Sequence, residues 1–99
     1  MATTIPPTYI IQGPLIPVPF TIDEIKNIFR DAYGAIYESD AFLASTFIQD
    51  ILGALKYTPG IVEATKNKIH KNLQLAIIHI QHSQYMAAHN LVRDAFYMI

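Results

Sequence analysis

After Gly60 the chain holds no proline and no glycine up to Ile99, and this unbroken run constrains the fold more than any other feature. Preceded by the turn Tyr57-Thr58-Pro59-Gly60, it reads as one long helix over residues 58–98, with Thr58 as its cap and Pro59 in the first turn, where a missing N–H does no harm. At about 1.5 Å per residue, roughly 40 helical residues span about 60 Å, whereas a compact domain of this length is about 35 Å across. Either such a helix bends or breaks, or a second chain packs on the part that protrudes.

The apolar pattern along this run favours the second chain. One face collects Val62, Ile69, Leu73, Ile77, Ile80, Ala87, Leu91, Ala95 and Met98, and another collects Leu75, Ile78, Tyr85, Met86, Val92 and Phe96. A helix that is apolar on two sides is buried between two layers. The first face is assigned to the preceding helices and the second to a two-fold copy, which makes Leu75, Ile78, Tyr85, Met86, Val92 and Phe96 the candidate dimer interface. Composition agrees: 52% of residues are apolar and 15% charged, where about a quarter charged is usual. That is more apolar surface than one small core absorbs, so a homodimer is expected.

Two shorter helices precede the long one. Thr21-Ile22-Asp23-Glu24 is a capping box, with Phe20 placed to staple onto Ile25. Behind it Ile22, Ile25, Ile28, Phe29, Ala32, Tyr33 and Ile36 share one side of a helix over residues 21–37, opposite Asp23, Glu24, Asn27, Arg30 and Asp31. Glu38-Ser39-Asp40 breaks it, and Ser39 or Asp40 caps a second helix over residues 40–56 that presents Leu43, Ala44, Phe47, Ile48, Ile51, Leu52 and Leu55. So short a connection makes a helical hairpin. The expected fold is all-α, a hairpin plus one long C-terminal helix over residues 21–99.

Residues 1–20 carry no charged side chain and five prolines, Pro6, Pro7, Pro14, Pro17 and Pro19. They read as an extended apolar arm in which Thr8-Tyr9-Ile10-Ile11 suits a short edge strand and Gln12-Gly13-Pro14 a turn. The six isoleucine, tyrosine and phenylalanine residues of this stretch argue for an arm that lies on helices, its own or a partner's. There is no basic region of the signal-peptide kind and no apolar run long enough to span a bilayer.

Chemistry has few places to reside. His79 and His82, three residues apart, could approach one ion, but His89 lies about 10.5 Å further along a continuous helix, too far to share it. Without a further ligand they make half a site, so no metal is assigned. If His82 and His89 were buried in the interface, their neutral forms would be favoured and assembly would weaken below the ordinary histidine pKa of about 6.5; histidines on an exposed rim are the alternative. Lys66, Lys68 and Lys71, near Lys56 and His70, form a basic collar that is a candidate for phosphate contacts, although their helical angles spread widely and no aromatic residues interleave for stacking. With four glycines the chain has no phosphate-cradling loop, nucleophile elbow or dinucleotide fingerprint. Absence of cysteine excludes disulfides, thiolate metal sites and a cysteine nucleophile. No enzyme activity, cofactor or catalytic residue is assigned.

The whole chain, from MATTIPPTYIIQGPLIPVPF through three isoleucine-rich helices to AIIHIQHSQYMAAHNLVRDAFYMI, resembles the small orphan proteins encoded by filamentous viruses of acid-loving hyperthermophilic archaea. The resemblance implies a virus-encoded protein of unassigned activity, heat- and acid-stable and oligomeric, placed in the host cytoplasm or the virion. The low charge content suits acid, where carboxylate pairs lose their value, and departs from the ion-pair enrichment of intracellular hyperthermophile proteins. The functional expectation is a small homo-oligomeric structural or adaptor protein. The alternatives are a nucleic-acid-associated regulator using the collar and membrane association through the arm.

Overall fold

The computed structural model describes residues 20–99; the arm, its strand and its turn lie outside the described residues. All regular structure among the described residues is helical: α1 (Ile22–Tyr37), α2 (Ala41–Leu55), α3 (Glu63–Gln81) and α4 (Tyr85–Tyr97). The first two match the expected hairpin. The long third helix is corrected: it is two helices joined by His82, Ser83 and Gln84.

The start of α1 follows the capping box, in which the Thr21 hydroxyl accepts from the Glu24 amide at 3.1 Å and the Glu24 carboxylate accepts from the Thr21 amide at 2.8 Å. Its end is a left-handed turn. Ser39 has φ 58°, the Asp40 amide donates to the Ala35 carbonyl at 2.9 Å, and the Ser39 amide donates to the Ile36 carbonyl at 3.0 Å. These two bonds define a Schellman motif, which satisfies carbonyls that the last helical turn leaves free. Asp40 then caps α2 by accepting from the Leu43 amide at 3.0 Å.

The same motif recurs at the end of α3. Ser83 has φ 58°, the Gln84 amide donates to the His79 carbonyl at 2.8 Å and the Ser83 amide to the Ile80 carbonyl at 3.0 Å. Both turns place serine where glycine is usual. The His79 ring adds a 2.6 Å contact from Nδ1 to the Gln84 side-chain oxygen. No proline or glycine is required to stop the helix, which is why the run could be read as continuous.

Thr58 is corrected as well. Instead of capping α3 it is buried and closes α2, its hydroxyl donating to the Ala54 carbonyl at 2.9 Å. The chain then turns at Gly60, whose φ of 90° an L side chain rarely adopts, and α3 begins at Glu63 after Val62.

Each helix packs on the two next to it: α1 on α2 and α4, α3 on α2 and α4, with α1 and α3 diagonal and α2 and α4 diagonal. The chain therefore runs up, down, up, down around one core. Ile25, Phe29, Ala32 and Ile36 from α1 meet Ala44, Ile48, Ile51 and Leu55 from α2, Ile69, Leu73, Ala76 and Ile80 from α3, and Ala88, Val92 and Ala95 from α4. Alanines from all four helices let the helix axes approach, while isoleucine and leucine fill the gaps between them. An aromatic seam joins α1 to α4: Phe96 meets Phe29 edge-on with centroids 5.6 Å apart and Tyr33 at 6.2 Å. The Lys26 ammonium lies 5.9 Å from the Phe96 ring centroid.

The turn at Ser83 can be tested by sign. Ser83→Gly removes the cost of a left-handed L residue and is expected to raise stability by up to about 1 kcal/mol; in a continuous helix the same change would cost about 1 kcal/mol. Urea denaturation distinguishes the two. In the same assay Leu73→Ala is expected to cost about 2–5 kcal/mol, as for a fully packed core leucine, and Leu75→Ala, on the outer side, less than about 1 kcal/mol.

Candidate interaction surface

Folding α4 back over α3 divides the six candidate interface residues. Leu75 and Ile78 remain 40% and 48% exposed and Met86 is 75% exposed. Val92, by contrast, is fully buried in the bundle core, and Tyr85 and Phe96 are half-buried against that core. The assignment of Val92, Tyr85 and Phe96 to a dimer interface is therefore corrected: their partner is α1 and the core of the same chain. The reason is geometric. In one continuous helix all six point one way, but after the reversal at Ser83 the stripe faces outward on α3, while on α4 Val92 faces inward and Met86 stays outside.

On α3 the outward direction is opposite Ile69, Leu73, Ala76 and Ile80, which are buried. Lys68, Lys71, Leu75, Ile78 and His82 occupy it, all exposed and spaced alternately three and four residues apart, the periodicity with which helix surfaces pair. The result is an aliphatic centre between a dibasic end and a histidine end. Met86 stands beyond the turn, on the outer side of the first turn of α4.

The candidate phosphate contacts are divided too. Lys68 and Lys71 share the outer stripe, whereas Lys66 is half-buried and turned toward α2, where it lines a cleft with Leu52, Leu55, Glu63 and His70. The three lysines therefore do not share one face. Charge is nevertheless segregated along the chain: residues 20–57 hold six carboxylates against three basic side chains, while residues 58–99 hold four basic against two acidic. Arg93 and Asp94 in the second half form an exposed pair at 3.2 Å, which leaves the net basicity to α3.

The histidines do not converge. His79 contacts Gln84, and His82 Nδ1 lies 2.9 Å from the Ile78 carbonyl of its own helix. His89 is half-buried and stacks on Tyr33 with centroids 5.1 Å apart. His82 is exposed on α3 while His89 lies against Tyr33 of α1, so the two do not share one face. Among the described residues no three side chains of metal-ligating type gather, and no helix is long and apolar enough to cross a membrane.

Tyr33 lies between His89 and Phe96 in the aromatic seam. Burial raises its phenol above the ordinary value of 10.0, and the nearby Tyr97 raises it further. A raised acid pKa in the folded state stabilises the fold below the unfolded value and is lost as pH rises through the folded one. Stability is therefore expected to fall above about pH 10, and Tyr33→Phe to lessen the fall. Thermal melts of both chains between neutral pH and pH 11 measure it; equal losses in both would contradict the assignment.

No protein-family model, no curated protein and no solved structure matches this chain.

Proposed function

We propose that the protein is a small self-associating structural or adaptor protein whose contact surface is the outer stripe of α3. The observation that carries this reading is the exposed, regularly spaced series Lys68, Lys71, Leu75, Ile78 and His82 on a helix whose opposite side is already buried. Among the described residues nothing packs over that series. An antiparallel two-fold about the middle of the stripe sets Leu75 against the partner's Ile78 and carries the lysine pairs to opposite ends, where they do not repel. Exclusion of water from a fully exposed large aliphatic side chain is worth about 1.5–3 kcal/mol; Leu75 and Ile78, 40% and 48% exposed, can each add roughly half of that, and with both copies this is a part of the about 8 kcal/mol of a micromolar complex.

A second reading is a nucleic-acid-associated regulator that uses Lys68 and Lys71. The shared face of these two lysines supports it, and the departure of Lys66 from that face weighs against it. The readings differ in salt response: phosphate contacts weaken steeply with added salt, whereas an aliphatic contact does not.

Sedimentation equilibrium at micromolar concentration tests the main reading. The wild-type chain is expected to sediment as a dimer, and Leu75→Glu with Ile78→Glu as a monomer of unchanged helicity. A wild-type monomer, or a dimer indifferent to both substitutions, would overturn it.

A further inference from the structure

The seam between the end of α2 and the start of α3 carries groups that neither the core nor the outer stripe uses. Leu55 and Lys56 follow Leu52 by three and four residues, and Lys66, Asn67 and His70 follow Glu63 by three, four and seven. Each set therefore shares one side of its helix. Together they line a cleft of about 280 Å³. Leu55 is buried and Leu52 half-buried, so part of the lining is apolar, and the rest is charged or polar.

The charges of the cleft do not cancel. The one ion pair among the described residues joins Arg93 to Asp94, and residues 1–19 hold no carboxylate. Neither Lys56 nor Lys66 is thus paired with an acidic side chain of this chain, Glu63 of the same cleft included. Two lysines against one glutamate leave one net positive charge beside an apolar patch. Lys66 is half-buried, so water screens its ammonium less than it would a fully exposed one. The Asn67 amide and the His70 ring can add N–H donors.

We propose that this cleft binds a small amphiphilic carboxylate, its anionic head held by Lys56 and Lys66 and its aliphatic body laid on Leu52 and Leu55. A monoanion balances the single excess charge, whereas a dianion would set its second charge against Glu63. A neutral apolar molecule would leave the lysines unused, and a bare ion would leave the leucines unused. The volume lies at the small end of the range for ligand sites, about 300–1,000 Å³, which suits a body of about eight carbons. Lys68 and Lys71 stand on the outer stripe and do not line the cleft, so this site is independent of the proposed self-association.

Three probes separate the elements of the site. Octanoate carries head and body, octan-1-ol the body alone and acetate the head alone; each is titrated into the isotope-labelled full-length chain and followed by amide chemical shifts. Octanoate is expected to bind with Kd on the order of 1 mM, with its largest shifts at Leu52, Lys56, Lys66 and His70. At equal concentration the other two should move these signals less than a fifth as far. Equal shifts from octan-1-ol would reduce the site to an apolar contact, equal shifts from acetate to an adventitious ion only, and shifts centred on Leu75 and Ile78 would put the ligand on the outer stripe. Each of these, or no shift at all, would overturn the proposal. In the same titration Lys66→Gln is expected to raise the octanoate Kd about fivefold, while Lys68→Gln, the same loss of charge outside the cleft, changes it less than about twofold; equal affinities for the two variants would overturn it as well.

Discussion

The structure depends on one backbone reversal, the left-handed turn at Ser83. Two hydrogen bonds, from the Ser83 amide to Ile80 and from the Gln84 amide to His79, end α3 and turn the chain back. Without them residues 63–97 would project past the hairpin, and Val92, Ala95 and Phe96 would face water or another chain. With them α4 becomes the fourth wall of the bundle and closes the core against Phe29 and Tyr33. A left-handed L residue costs roughly 1–2 kcal/mol, which is small beside the burial of Ala88, Val92 and Ala95 that the turn makes possible.

Much of the fold was legible in the sequence because each signal had a local cause. The capping box at Thr21 and the cap at Asp40 place the starts of α1 and α2, and the spacing of Ile69, Leu73 and Ile80 identifies the buried side of α3, on which Val62, read with them, is exposed. The turn at Ser83 was hidden because nothing nearby is a helix breaker. Ser39 occupies the same motif but is followed by Asp40, a strong cap, whereas Ser83 is followed by Gln84, which makes no side-chain cap. One unread turn then changed the surroundings of Val92 and Phe96, while Ala95 stayed inside and Met86 outside. Leu75 and Ile78 kept their outward direction, while Val92 and Phe96, in phase with them along a continuous helix, ended inside.

The reversal also changes why self-association is expected. A single 60 Å helix needs a partner because of its length; the folded-back hairpin needs none on that ground. What remains is local: an aliphatic centre on α3 between a dibasic end and a histidine end, on a chain whose charge is divided between an acidic first half and a basic α3. Its one ion pair among the described residues is exposed and joins adjacent residues, so packing, and not ionic pairing, holds the bundle together. The proposed contact surface and the surface that builds the core lie on opposite sides of the same helix.

The distance between the start of α3 and the end of α4 tests the account most directly. With Lys68→Cys and Tyr97→Cys, both at exposed positions, spin labels can be placed on the cysteine-free chain and read by pulsed electron resonance. Helices packed about 8–10 Å apart place the labels within about 25 Å. A continuous helix would hold them about 43 Å apart, and a distribution centred there would contradict the fold-back on which the core, the outer stripe and the reading of function all rest.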